Sequence, residues 1–350
     1  MKKTVWILLL ILSLILSGCT VIVELPAEET AAPVSGDGLT VHFLDVGQAD
    51  CALLECDGKY MIVDGGNVES GQLVISYLQQ QGVEELEAVV CSHAHEDHVG
   101  GLPSVLAVYP TKAVYAPTRT YSSRVFDDFL HYTDQQRLEV TIPEPGDVFQ
   151  LGSAKVSVLG PVKSYAETND TSIVLRVVYG SNSFLFTGDM EVAAENDMLD
   201  YWGDAAKWQT DVLKVGHHGS ETSTGHRFLY EVNPTYGVIS VGEGNSYGHP
   251  NEEPLSRLKD AGVALFRTDY LGTVIARSDG TEVTFTWENQ TATPEDVEPG
   301  EAVVFVGNKK SKKFHGPDCG SLPGESNRVE FDSYQAAVEA GYSPCGSCLG

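Results

Sequence analysis

Leu86-Glu87-Ala88-Val89-Val90-Cys91-Ser92-His93-Ala94-His95-Glu96-Asp97-His98-Val99-Gly100-Gly101 is the stretch on which the fold turns. An apolar run of strand length, Leu86 to Cys91, leads without a break into a crowd of polar donors. His93, His95, Asp97 and His98 are all potential metal ligands. In a strand-end loop, alternate positions 93 and 95 point the same way and can hold one ion. Asp97 and His98 turn toward a neighbouring position and suit a second. Imidazole and carboxylate favour Zn²⁺, with Mn²⁺ or Fe also accommodated. Gly100 and Gly101 are expected to let the backbone turn sharply after the cluster. A folded surface has little reason to crowd three imidazoles beside a carboxylate, so the pattern reads as a metal site.

Working outward, short strands flank this run. LTVHFLDV, CALLEC and KYMIVDGG precede it, with Asp57-Gly58 as a hairpin turn between the last two. A helix is expected over 69–81. KAVYAP, KVSVLGP, SIVLRVVYG and SNSFLFTGD follow, the last two joined at Gly180-Ser181-Asn182. Further on, helices over 190–201, 225–231 and 251–261 alternate with the strands DVLKVG, YGVISVG, VALFRTD, GTVIARS and EVTFTWE. Strand blocks punctuated by helices in both halves fit an α/β (α+β) architecture of two packed sheets with helices outside.

Polar residues recur at the ends of these apolar strands. Asp45 follows the first, Asn169-Asp170 precede IVLRVV, Asp189 closes FLFTGD, and His217 and His218 close DVLKV. His249 lies in Asn245-Ser246-Tyr247-Gly248-His249-Pro250. Each alone reads as a helix cap, a turn or a loop residue. Their recurrence beside a metal cluster marks them as candidates, and a carboxylate at 189 could bridge two ions.

Acidic residues outnumber basic ones 49 to 22, for a formal charge of −27. Such a field repels polyanions at long range, which weighs against general nucleic-acid binding. At the N-terminus, Lys2 and Lys3 precede the apolar run Val5 to Leu16 and then Leu16-Ser17-Gly18-Cys19. The run is short for a membrane span, and small residues ahead of a cysteine resemble a lipobox. Residues 1–18 are therefore expected to be a lipoprotein signal peptide. Lipidated Cys19 would anchor the chain on the outer face of the membrane, and residues 19–38 would form a flexible tether. Of the seven cysteines, Cys51, Cys56 and Cys91 lie in apolar runs and read as buried small hydrophobes.

These motifs resemble the metallo-β-lactamase superfamily, whose HxHxDH hallmark is matched by His93, His95, Asp97 and His98. Within it, FLDVGQAD, NDTSIVL, FTGDM, LKVGHHGS and VGEGNSYGHP resemble the metallohydrolase part of ComEC-like competence proteins, over residues 39–288. The resemblance implies an αββα sandwich with two divalent metals, Zn or Mn, at one sheet edge. His93 and His95 would bind the first metal, and Asp97, His98 and one of His217 and His218 the second. Asp189 would bridge, and the other histidine of the pair would face substrate. Asp97, His249, Asp45 and Asn169 are the expected catalytic residues. Many superfamily members carry another first-metal histidine upstream of the bridging aspartate. Here that interval contains His131 alone, in an unrelated-looking stretch.

Residues 289–301 read as an acidic linker, and residues 302–350 as a small separate unit. His315-x3-Cys319 and Cys345-x2-Cys348 supply four ligands for a closed tetrahedral zinc site. This unit resembles the zinc-binding module of Ada-type DNA-repair proteins. His315 stands where that family has a cysteine, which removes support for methyl-acceptor chemistry and leaves structural zinc binding. Lys309, Lys310, Lys312, Lys313 and Arg328 balance five acids, so the unit is neutral beside an acidic remainder, and its lysine run reads either as a contact for nucleic acid or an anionic cell-wall polymer or as a solvated loop. The expected activity is a metal-dependent hydrolase, first of all a phosphodiesterase or nuclease. The rivals are a small-molecule hydrolase (choline-phosphate esterase, lactonase or β-lactamase) and a non-catalytic surface binding protein.

Overall fold

Alternation along the strands sets the layers. In Leu39–Phe43 (β1), Leu39, Val41 and Phe43 face one core. In Lys59–Val63 (β3), which follows Ala52–Cys56 (β2), Met61 and Val63 enter that core while Ile62 enters another. The computed structural model describes residues 38–203, 208–294, 304–316, 319–332 and 334–349. The expected signal peptide, Cys19 and most of the tether lie outside these residues, as does the linker beyond 294.

The chain continues through Ala88–Val90 (β4), Val114–Tyr115 (β5) and Val140–Thr141 (β6), then builds a second sheet. That sheet comprises Val148–Leu151 (β7), Ala154–Gly160 (β8), Val174–Tyr179 (β9), Asn182–Phe186 (β10), Val212–Lys214 (β11), Tyr236–Ile239 (β12) and Ala264–Arg267 (β13). Val274–Ser278 (β14) and Val283–Trp287 (β15) then return to the first sheet, where β14 pairs with β1 in the register Val41 to Ala276. The orders are β15-β14-β1-β2-β3-β4-β5-β6 and β13-β12-β11-β10-β9-β8-β7.

Between the sheets lies one apolar layer that includes Phe43, Val90, Leu175, Phe184 and Phe186. Outside the first sheet, Gly71–Gln80 (α1), Glu96–Val99 (α2), Leu102–Val108 (α3) and Arg124–Gln135 (α4) contribute Val74, Val99, Leu102 and Phe126 to a second layer. Outside the second sheet, Val192–Trp202 (α5), His226–Val232 (α6) and Glu252–Asp260 (α7) contribute Leu199, Phe228 and Leu258 to a third. This is the four-layer αββα sandwich. Thr268–Leu271 (α8) is a single turn before β14.

Gly100 and Gly101 have ordinary right-handed helical torsions, so the expected sharp turn is corrected. They are needed for close approach: a Cβ on Gly101 would lie 2.1 Å from the Gly65 carbonyl oxygen. The C-terminal unit has its own sheet, ordered β18-β16-β17-β19, from Phe305–Asn308 (β16), Lys313–His315 (β17), Arg328–Phe331 (β18) and Ser343–Pro344 (β19). Its helix Tyr334–Glu339 (α9) meets α6, where the Tyr334 ring lies 5.3 Å from Tyr230 and parallel to His226 at 6.2 Å.

Candidate metal centre

Parallel strands deliver their polar ends to one place. β3 and β4 run in parallel, so Asp64 and Ser92 follow side by side. β10, β11 and β12 also run in parallel, and Asp189, His217–His218 and the 241–250 loop follow them. Three non-glycine residues here are left-handed. His217 and His218 have φ of 49° and 53°, and Asp64 has 61°. Non-glycine residues in this left-handed region carry strain that functional sites commonly hold. Gly188 (φ 53°) lets the Asp189 turn approach Ser172 and the histidine loop, since a Cβ there would lie 2.8 Å from Ser172 Oγ and 3.0 Å from Ser92 Cβ.

Asp97, His98, Asp189 and His218 form one group whose ligand atoms lie within 4.8 Å of one another. His98 Nε2 is 3.3 Å from Asp189 Oδ2, and His218 Nε2 is 3.2 Å from Asp97 Oδ2. The other ring nitrogens are tied down. His98 Nδ1 donates to Asp64 Oδ2 at 2.9 Å, and His218 Nδ1 donates to the Ser240 carbonyl at 2.9 Å. With Nδ1 tied down, both Nε2 atoms face inward: His218 Nε2 meets Asp97 Oδ2, and each ring, once deprotonated, would offer its Nε2 lone pair to a cation. His98 Nε2 and Asp189 Oδ1 are buried without a hydrogen-bond partner. Burying such atoms is costly unless something fills the space between them, and a divalent cation suits this nitrogen and carboxylate set. The residues present therefore fit the metal that the fold implies.

Charge points the same way. Burial alone would lower the His218 pKa, but Asp189 and Asp50 carry it up to about 10. Burial likewise opposes His98, and Asp189, Asp64 and Asp97 still raise it well above the usual range. Burial raises the Asp97 carboxyl, yet His98 and His218 hold it down at about 2. Without a cation, protons on the imidazoles balance these carboxylates.

The remaining sequence candidates divide. His93 and His95 stand beside the group, with His93 Nε2 3.0 Å from His95 Nδ1 and 3.9 Å from Asp189 Oδ2. Burial lowers the His93 pKa well below 6.5, the neutral state a ligand needs. Ser172 Oγ lies 3.5 Å from His93 Nδ1 and accepts the Asp189 N–H at 3.0 Å. His131 packs its ring on Tyr132 of α4. His217 is outside the four-residue group: its Nδ1 meets Thr222 Oγ1 at 3.1 Å, and its Nε2 lies 3.7 Å from Asp189 Oδ2. His249 Nδ1 meets Gln48 Nε2 at 3.4 Å, and its ring is 5.6 Å from His217. Burial and the charges of His217 and His218 push His249 down to about 4. Asn169 donates to Glu191 Oε1 at 3.1 Å, which lies 3.6 Å from His217 Nδ1, and the Asn169 carbonyl accepts the Ser172 hydroxyl, so it reaches the histidines only indirectly. The Asp45 carboxylate accepts the Gly47 N–H at 3.1 Å, and its charged neighbours are Glu288, Asp269 and Glu243. Its carboxylate is thus held by its own loop and its N–H donates to Thr273 Oγ1 at 3.2 Å, apart from the metal-ligand group.

Asp64, Asp50 and Lys214 escaped the sequence reading. Asp64 also accepts the Ser92 N–H and hydroxyl, each at 2.7 Å. Asp50 Oδ2 is 2.7 Å from the buried Lys214 ammonium, its Oδ1 is 3.2 Å from His218 Nδ1, and its N–H donates to the Asp97 carbonyl at 3.0 Å. The signals were a carboxylate directly after an apolar strand in MIVDGG and a lone cation inside DVLKV.

In the C-terminal unit, β17 and β19 pair in parallel, which sets His315 and Cys345 at adjacent strand ends. His315, Cys319, Cys345 and Cys348 bring their ligand atoms within 4.8 Å of one another.

The model of the metallo-beta-lactamase superfamily matches residues 44–243, and that of the metal binding domain of Ada matches residues 297–349. ComE operon protein 3 of Bacillus subtilis (strain 168) is 28% identical over 253 residues, covering 67% of this chain and 32% of that protein. Competence protein ComA of Neisseria gonorrhoeae is 31% identical over 244 residues, covering 69% of this chain and 32% of that protein. The chain thus spans about a third of the length of these curated relatives. Among solved structures, the metallo-beta-lactamase fold protein YhfI from Bacillus subtilis aligns with a TM-score of 0.47 at 12% identity, over 69% of this chain and 100% of that one. The chain belongs to the metallo-β-lactamase superfamily, as a metal-dependent hydrolase similar to ComEC-like competence proteins and joined to an Ada-type zinc-binding module.

Proposed function

We propose that this chain is a phosphodiesterase, with nucleic acid as its substrate class, working outside the cytoplasm on a lipid anchor at Cys19. The observation that carries the chemistry is the group Asp97, His98, Asp189 and His218, buried except at Asp97, with both Nδ1 atoms pinned and the unpartnered His98 Nε2 and Asp189 Oδ1 within it. The substrate class is supported by the competence proteins to which the chain is similar. A divalent ion held there supplies Lewis acidity and a nucleophile from water at neutral pH.

The chain's own residues do the rest. Asp97, at the cluster's more open side, orients the attacking group. His93, with Nε2 3.9 Å from Asp189 Oδ2, and His95 beside it would hold the first ion. His217, fixed through Nδ1 by Thr222, presents Nε2 to the same cleft and delivers a proton to the departing oxygen. His249, held neutral, is a stacking and hydrogen-bonding residue rather than the acid.

The test uses the full chain with Mn²⁺ or Zn²⁺ on linear DNA, bis-p-nitrophenyl phosphate and a lactone. Cleavage of the first two is expected. Lactone hydrolysis alone would sink the phosphodiesterase reading in favour of a small-molecule hydrolase. His217→Ala should keep its metal content while losing about 10²- to 10⁴-fold in turnover.

A further inference from the structure

The loop after β12 sets an aromatic ring at the rim of the metal centre. Tyr247 is 71% exposed, the most open large hydrophobic side chain recorded among the described residues. An exposed tyrosine is ordinary in itself, but this one is held in place. Asn245 Oδ1 accepts the N–H of Tyr247 at 3.1 Å and that of His249 at 3.0 Å, while Asn245 Nδ2 donates to the His249 and Gly242 carbonyls. Gly244 and Gly248, both with positive φ, shape the bend on either side. One amide side chain thus fixes the whole hairpin-like loop, and Gln48 ties its far end to the first sheet.

The ring also continues a stack. Tyr247 lies nearly parallel to His249, with centroids 5.7 Å apart at 25°. His249 lies nearly parallel to the ligand-group residue His218, at 6.4 Å and 25°. The series His218, His249, Tyr247 runs outward from the metal centre in steps of one ring and ends on an open aromatic face. A rigid, flat, uncharged face at the end of such a series fits another flat ring. The neighbouring charges make a phosphate partner unfavourable there: Glu243 is in the same loop, and the chain as a whole is strongly acidic.

We propose that Tyr247 is a specificity-determining residue that stacks a nucleobase of single-stranded nucleic acid next to the phosphate being cleaved. This rests on the phosphodiesterase reading and refines its substrate. A duplex keeps its bases stacked on one another, so only an unpaired base can meet Tyr247. Base–aromatic stacking contributes about 1–3 kcal/mol per base and tolerates any base, so the preference is for strandedness rather than sequence.

The experiment compares a fluorescent single-stranded oligonucleotide with the same strand carrying abasic sites, using the full chain with Mn²⁺. Bis-p-nitrophenyl phosphate is the check on chemistry. The wild-type chain should show a KM about 5- to 150-fold lower for the base-bearing strand, with similar kcat. In Tyr247→Ala that ratio should collapse toward one, and Tyr247→Trp should restore it. A ratio that survives in Tyr247→Ala, or a wild-type chain that does not distinguish the two strands, overturns the stacking role and leaves the phosphodiesterase reading standing. No cleavage of either strand or of bis-p-nitrophenyl phosphate overturns both.

Discussion

Asp64 accepts from the Ser92 N–H, the Ser92 hydroxyl and His98 Nδ1, so one carboxylate decides which nitrogen of His98 faces the metal. Asp64→Asn should weaken metal binding about 10- to 100-fold, read by competition against a chromogenic chelator. The ligands themselves give a pH dependence. His98 and His218 both carry raised pKa values in the metal-free protein, with His218 at about 10, so each must give up a proton to bind a cation. Metal affinity should therefore rise steadily from pH 6 to pH 8. Titration calorimetry in buffers of different ionisation enthalpy should show proton release on binding. The local part of this centre was legible because His93, His95, Asp97 and His98 sit together in the chain. Asp50, Asp64 and Lys214 were not, because their roles exist only once parallel strands bring their ends together. The choice between His217 and His218 was equally hidden, since two successive left-handed residues turn the rings in different directions.

Among the elements, α6 depends on a buried acid from α5. Glu195 is 2% exposed and accepts the N–H groups of Thr224 and Gly225 just ahead of α6. Burial lifts its pKa from 4.5 to about 7, against the pull of those two N–H groups. The folded chain therefore holds a proton that the unfolded chain releases between these values. The favourable contribution is complete below pH 4.5 and is lost as pH rises through 7. Its size is on the order of 2–3 kcal/mol. Urea unfolding of wild type and Glu195→Gln at pH 5 and pH 8 should show the wild type losing this much relative to the variant. No sequence pattern announces such an acid, because its burial depends on how α5 and α6 pack. Strands are different. The alternation in LTVHF and KYMIV was readable, whereas the return of β14 and β15 to the edge beside β1 was not, since pairing order is decided between segments far apart in the chain.

Across the whole molecule, the first sheet supplies Asp97 and His98 to the centre, and the second supplies Asp189 and His218. Asp50 repeats the bridge without a metal: its backbone holds the Asp97 loop and its carboxylate meets Lys214 on β11. The zinc module contributes no such bridge, since His315, Cys319, Cys345 and Cys348 all lie within its own fold. Stripping metal should therefore have two separable effects. Cys345→Ser should remove one zinc per chain by native mass spectrometry with little change in the melting of the sandwich. Removing the ion at Asp97, His98, Asp189 and His218 should lower that melting temperature, by an amount that grows with the free metal concentration of the reference state. At a hundredfold excess over Kd the loss corresponds to about 2.7 kcal/mol. A catalytic ion placed there acts as a removable cross-link between the two leaves of the sandwich. Cleaving substrate and keeping the leaves shut draw on the same atom, so a metal-starved chain would be both inactive and easier to degrade.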